Sequence, residues 1–317
     1  MMKKSLALIF ISFLFLIPVY SQQLKFDAGL NAGLTYGDLG EYIYSSGERF
    51  IVSYLQWEEK PVYFLGFEGG VQYKDFGASA DVKFDLPGNC GHLYDSDWNS
   101  NGLKTIYSIH DNNLIWGIDA IISLFYDFTP AKNFSITPEF QVEYEFVKFQ
   151  SAIGTQWNGS GTSSLTDDDV SWDDPLAKKD GGSRIGYYRH TGFLFTGLKF
   201  RYDFIPDFSV MSGFYIAPFI YTSALDHHFD DRPGKDAGYY MQHIQYSYFN
   251  RIKADIQTVF KIDSDNSFSI KAQIVYGPKT KGHMNTTILT GRYLRVGQKT
   301  ASDILNLKIA IGYKHIF

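Results

Sequence analysis

Cysteine is almost missing from this chain. Its 317 residues include one, Cys90, so no internal disulfide framework can staple the fold. Positive charge is not in excess either: 29 Lys and Arg stand against 34 Asp and Glu, for a formal net charge of -5. A nucleic-acid partner, which needs a basic face, is therefore not expected. Long apolar runs are scarce as well. The run from Leu6 to Val19 is short for the ~20 residues of a membrane-spanning helix, and no other stretch approaches that length. It follows Lys3 and Lys4 and precedes the small residue Ser21, which is the order of a secretory signal peptide. Residues 1–21 are accordingly expected to be a processing signal and residues 22–317 a single mature domain. Cys90 lies far from that cleavage point, where a lipoprotein anchor would have to be. No solenoid-type repeat, linker or second domain divides the rest.

What the chain has in abundance is aromatic residues. They make up 17% of it, with 23 Tyr and 27 Phe, while hydrophobic residues reach only 44%. A membrane β-barrel uses such a composition, because aromatic girdles sit at both lipid interfaces while the interior stays polar. Periodicity points the same way. From Leu114 to Phe128 the even positions are Leu114, Trp116, Ile118, Ala120, Ile122, Leu124, Tyr126 and Phe128, against Gly117, Asp119, Ser123 and Asp127. Residues 267–277 and 305–317 repeat the alternation, with Lys, Gln and Asn on the second face. Short polar turns at Lys74-Asp75, Thr129 to Asn133, Ile205 to Asp207 and Asp263 to Asn266 alternate with five longer segments near 37–48, 91–112, 153–182, 226–238 and 283–297. A bacterial barrel has short periplasmic turns and longer extracellular loops. The expectation is an all-β, ten-stranded antiparallel transmembrane β-barrel with both termini on the periplasmic side.

Two constellations can carry chemistry. Asp95-Ser96-Asp97-Trp98 falls where the third predicted strand rises into its outward loop, and Asp226-His227-His228 where the seventh does. Residues i and i+2 share a face of a strand, so Asp95 points with Asp97, and Asp226 with His228. Either pair alone reads equally as a solvated turn, but strand counting places both at the extracellular rim. A metal site built from Asp226, His227, His228 and Asp230 is disfavoured, because adjacent histidines point to opposite faces. No metal is expected. Cys90, read as a lone exposed thiol, is expected to be incidental.

The sequence resembles the omptin family of outer-membrane endopeptidases. The residues that carry the likeness are Tyr94 to Trp98, Arg184-Ile185-Gly186-Tyr187 and Asp226 to Asp230, with weaker similarity through Gly37 to Tyr44 and Ser53 to Trp57. The resemblance implies a narrow ten-stranded barrel extending above the outer membrane, with the active site facing the extracellular side. It implies four catalytic residues, Asp95, Asp97, Asp226 and His228. His228 and Asp95 would hold a water, neutral His228 would take its proton, Asp226 would orient the imidazole and Asp97 would support Asp95. A histidine titrates near working pH and suits a base.

The resemblance also implies cleavage beside basic residues. Glu41, in the first outward loop, falls at an acidic pocket position and would pair with a substrate Arg or Lys. Two departures stand against strict dibasic specificity: Ala224 and Ile106 occupy places where pocket acids are expected. Omptins need lipopolysaccharide on the outer wall, and Tyr144, Lys148 and Arg189 partly match that patch, although Phe146 stands where an acid is more usual. The expected partners are peptides, outer-membrane lipid and lipopolysaccharide, and the expected assembly is a monomer. Two other readings compete with the peptidase. One is a non-catalytic adhesin or binding barrel. The other is a pore, in which Lys253, Asp255, Lys271 and Lys308 would line water; in a narrow barrel they would instead pair and plug the lumen.

Overall fold

The computed structural model describes residues 24–45, 47, 50–160, 169–229, 238–288 and 293–317. The expected signal segment at 1–21 and Asp230 lie outside the described residues. The described residues contain strands and turns and no helix. In chain order the strands are β1 (Leu24–Tyr44), β2 (Ile51–Tyr73), β3 (Phe76–Asp85), β4 (Gly88–Trp98), β5 (Lys104–Tyr126), β6 (Phe128–Ala131), β7 (Phe134–Ser151), β8 (Gly154–Asn158), β9 (Lys178–Gly182), β10 (Ile185–Ile205), β11 (Phe208–His228), β12 (Tyr239–Ser247), β13 (Ile252–Lys261), β14 (Asn266–Ile288) and β15 (Tyr293–Ile316).

Sequence neighbours pair antiparallel, and β15 pairs back onto β1 with Asp27 opposite Ile316 and Ile43 opposite Thr300. β3 and β4 share one place between β2 and β5, as β12 and β13 do between β11 and β14. The result is a ring of about ten strands. Ring closure leaves no edge strand along the wall, so every ladder donor and acceptor has a neighbour.

Alternation divides inside from outside. Leu305, Leu307, Ile309, Ile311 and Tyr313 are exposed on the outer wall, and so are Phe268, Ile270, Ile274 and Tyr276 on the neighbouring β14, while Asn306 and Gln273 are buried inside. Outer apolar residues form a belt whose far edge runs through Tyr36, Tyr63, Trp116 and Leu305, each exposed. Strands β1, β2, β5, β14 and β15 are 21 to 24 residues long. That is about twice the ~9–11 residues a tilted strand needs to cross a bilayer. Beyond the belt the outer wall turns polar: Lys60 Nζ lies 2.7 Å from Asp38 Oδ1, and Gln56 Nε2 donates to the same carboxylate at 2.9 Å.

These long strands correct the expected loops. Segments near 37–48, 91–112 and 283–297 are strand over much of their described length, and β11 takes in Asp226 to His228, because ladder bonds form between backbones whatever the side chains face. Residues 154–158 and 178–182 form a further hairpin arm, β8–β9, attached to β5. Leu114 is a second correction. It is buried inside, whereas Trp116 is 45% exposed outside. A register shift between Leu114 and Trp116 adds a residue to β5 and swaps the faces above it.

Two layers fill the interior. Trp57 stacks on Tyr187 at 5.0 Å and on Phe149 at 5.8 Å, and with Leu39, Leu55, Leu93 and Leu114 they form a buried apolar plug. Below it, Lys308 Nζ lies 2.8 Å from Asp119 Oδ2 and 3.2 Å from Glu145 Oε1, and Lys253 Nζ lies 2.5 Å from Glu143 Oε2. Lys308 and Lys253 are therefore paired with lumen carboxylates, as a narrow ring requires. Cys90 belongs to the plug and is buried, not exposed as expected from sequence. Burial, then the nearby Glu59 charge, push its thiol up to about 12, which leaves it protonated and inert.

Candidate functional site

Above the plug the ring opens into a cleft of ≈590 Å³. Asp95 and Asp97 line it from β4, and His228 lines it from the end of β11. Strand β4 pairs with β2 and β5, while β11 pairs with β10, β12 and β13. The two strands are thus not neighbours, and the residues meet across the mouth of the ring. Their reach follows from local register: Asp95 sits opposite Leu55 and Ser108, Asp97 opposite Ser53 and Ile106. His228 sits between Ile185 and Tyr239, and its ring stacks on Tyr239 at 4.6 Å with 8° between the planes.

His227 points the other way, against Tyr240 at 4.2 Å and Phe229 at 3.8 Å, as two-residue alternation requires. Asp226 shares the His228 face one step deeper. It is fully buried and does not line the cleft. Its Oδ2 accepts a 3.0 Å hydrogen bond from His243 Nε2, on β12. His243 is the residue that sequence reasoning missed. It lies directly opposite Ala224, the position that lacks the expected pocket acid. The visible signal was the inward parity of Met241, His243 and Gln245, which becomes readable once β12 is paired with β11.

Electrostatics sets acid and base apart. Burial pulls the His228 imidazole down to about 4, although the Asp226 charge opposes the shift. Burial, then Asp97, then Asp226 raise the Asp95 carboxyl well above the ordinary carboxylate range. A neutral imidazole therefore shares the cleft with a carboxyl shifted toward its protonated form, two groups whose environments are tuned in opposite directions. Buried His228 Nε2 and Asp95 Oδ1 make no hydrogen bond within the protein. Such orphaned polar atoms are costly in a folding core and are characteristic of sites that take a polar ligand.

Glu41 is on strand β1 rather than in a loop, is 1% exposed, and does not line the cleft. Its ligand atoms, with those of Asp226 and His243, lie within 4.8 Å of one another, as do those of Asp119, Glu143 and Glu145. Either group could hold a cation among the described residues, yet both are already served. Lys308 and Lys253 neutralise the second. In the first, burial and the Asp226 charge push the Glu41 carboxyl up to about 8, and the fields of His243 and Arg189 draw it back. Burial works to lower His243, but Glu41 and the Asp226 hydrogen bond outweigh it and hold the imidazole above its usual value.

Arg189 requires a correction. It was expected on the outer wall with Tyr144 and Lys148, but it is 3% exposed and points inward with Tyr187 and Thr191. Parity is the reason: on β10 the outward residues are Tyr188 and His190. Tyr144 is 42% exposed and its hydroxyl lies 2.8 Å from His190 Nδ1, while Lys148 sits over the Tyr188 ring at 4.9 Å. Ile106 lines the cleft and Ala224 is buried in the plug.

Fold and site together define a closed β-ring with an apolar outer belt, an ion-paired lumen and an Asp–His cleft at one end. Among solved structures the chain is similar to the outer-membrane protease OmpT from Escherichia coli, with 16% identity and a TM-score of 0.78 over 92% of this chain and 97% of that one. This likeness establishes the fold. Weaker likenesses reach the translocator domain of the autotransporter NalP from Neisseria meningitidis (8% identity, TM-score 0.32, 99% and 97% covered). Another is to a major outer membrane protein from Thermus thermophilus (13%, 0.29, 93% and 99%). These two carry no argument. No protein-family model matches the chain, and no curated protein does.

Proposed function

We propose that the chain is an endopeptidase of omptin type: a ten-stranded barrel in the bacterial outer membrane, acting as a monomer, with its cleft facing the extracellular side. One observation carries this reading. Asp95, Asp97 and His228, brought from non-adjacent strands, line a single cleft with Asp226 directly behind. The exposed apolar belt supports the membrane setting, since apolar area of that extent is stable in lipid and not in water.

In this mechanism a water lies between Asp95 and His228. Neutral His228 takes its proton as the oxygen attacks the scissile carbonyl carbon. The C–N bond then breaks, and the proton passes to the leaving amine. The charge of Asp226 stabilises the transient imidazolium, and His243 holds Asp226 in place by its hydrogen bond to Oδ2. Burial, helped by like-charge repulsion from Asp97, raises the Asp95 carboxyl pKa. Lipopolysaccharide would sit against Tyr144, Lys148 and His190, one cation and two hydrogen-bonding rings at the edge of the apolar belt. That set fits an amphipathic anion in part.

The refolded chain, with and without lipopolysaccharide, is expected to cut a mixed peptide library, and Asp95→Asn is expected to abolish the cuts. Mass spectrometry of the products checks both. A folded parent that cuts nothing would instead favour the non-catalytic binding barrel, a reading that Ala224 and the inward Glu41 already suit.

A pH profile supplies a second test. A lowered imidazole pKa means that the neutral base persists to lower pH than an ordinary histidine allows. Activity is therefore expected above pH about 4 and lost as pH falls through that value. A kcat/KM profile with its acid limb near 6.5, the ordinary histidine value, would contradict the buried setting of His228.

A further inference from the structure

The cleft is better suited to an apolar side chain than to a basic one. Ile43, Met241 and Met284 form a buried hydrophobic cluster with Val52 packed against it, and all four line the cleft. On the other flank of His228, Ile185 pairs directly with it, and Ile106 pairs with Asp97. Aliphatic or thioether side chains thus stand on both flanks of His228, with Ser53, Ser108, Gln156 and Gln298 also in the lining.

The acid that would select Arg or Lys is displaced from this wall. Glu41 is 1% exposed and outside the cleft lining. It is clustered instead with Asp226 and His243, where His243 supplies a hydrogen bond to Asp226 and Arg189 supplies positive charge. Against this wall a substrate guanidinium would meet methionine and isoleucine and would lose hydration without a partner; the carboxylates that do line the cleft, Asp95 and Asp97, are the ones assigned to the water.

We propose that the peptide side chain seated beside the scissile bond is a large apolar one, Leu, Met or Phe, held by the wall of Ile43, Val52, Met241 and Met284. This rests on the peptidase reading above and departs from the basic specificity that the family resemblance implies. Methionine has three rotatable bonds and a polarizable sulfur, so a pair of them fits branched, linear and aromatic side chains alike. Differences of one or two methylenes in such a pocket change kcat/KM by about 10–200-fold.

The test is the sequence logo of cuts made by the unaltered full chain, refolded with lipopolysaccharide, on a mixed peptide library. Leu, Met and Phe are expected at a position flanking the cut, at least about tenfold over Arg and Lys. Matched peptides with Leu or Arg at that position should give the same ratio in kcat/KM. Cuts flanked by Arg or Lys, with apolar peptides spared, would overturn the proposal and leave the peptidase reading standing. No cuts from the folded chain would overturn both. Met241→Ala places the pocket: cleavage of the Leu peptide should fall about tenfold while that of a small-residue peptide holds. An unchanged Leu preference in that variant would show that the wall is elsewhere.

Discussion

Replacing His228 with alanine is expected to lower kcat/KM for peptide cleavage by about 10²–10⁴-fold, the usual contribution of a positioned general base. The expectation rests on three particulars. Among the described residues, His228 is the one imidazole that both lines the cleft and shares a strand face with Asp226. His110 also lines it, but Ser108 Oγ at 2.8 Å and Ala152 O at 3.1 Å engage both of its ring nitrogens. His243 is bound to Asp226 and lies behind the wall. His227 is the internal control. It is adjacent in sequence, stacks on Tyr240 outside the cleft, and its replacement by alanine should leave kcat/KM within a few-fold of the parent. In the His228 variant, losing the Tyr239 stack costs about 0.5–1.5 kcal/mol of stability, too little to unfold the ring. Rates measured beside an unfolding midpoint for each variant separate chemistry from folding. Equal losses at His227 and His228 would remove the base assignment.

Much of this arrangement is visible in the chain before any coordinates. Alternation from Phe268 to Tyr276 and from Leu305 to Tyr313 states which face points outward, because a polar lumen and an apolar wall leave opposite marks on odd and even positions. The pairing of Asp226 with His228, and not His227, follows from the same two-residue period. The period also explains the misplacements. It carries no memory across an added residue, so the shift at Leu114/Trp116 reverses every upper position of β5. The family resemblance places Arg189, as a looser match, with Tyr144 and Lys148, whereas its parity with buried Tyr187 and Thr191 sends it inside. The upper strands read as loops because hydropathy reports what a surface touches. Above the belt the outer face is wet and the inner face mixes plug residues such as Leu39 and Leu93 with buried Ser108 and His110, so the alternation blurs although the ladder continues. His243 is illegible for a different reason. Its meaning comes from sitting opposite Ala224 and against Asp226, and a pairing between β11 and β12 is a tertiary fact.

The largest effect on stability is expected in the lumen, at Lys308. Its ammonium lies 2.8 Å from Asp119 Oδ2 and 3.2 Å from Glu145 Oε1, and its side chain is 12% exposed. Lys308→Met keeps most of the aliphatic stem and removes the charge, leaving Asp119 to Lys83, 3.8 Å away, and taking from Glu145 its ion pair with Lys308. Removing one partner of a buried ion pair typically costs about 3–5 kcal/mol, because the remaining charge keeps its desolvation penalty. The urea midpoint of the protein refolded in lipid vesicles should fall accordingly. Adding Asp119→Leu should recover much of the loss, since replacing a buried pair by apolar residues of similar size is often neutral or better. Two measurements distinguish this filled lumen from a channel. Peptide cleavage in mild conditions should be unaffected by Lys308→Met, because the plug of Trp57, Phe149 and Tyr187 stands between the network and the cleft. Planar-bilayer conductance should be negligible for the parent, whose cavity between plug and ion pairs holds only ≈30 Å³. That is room for about one water molecule. A parent that conducts freely, together with a Lys308→Met variant as stable as the parent, would mean that these charges line water and that the pore reading holds.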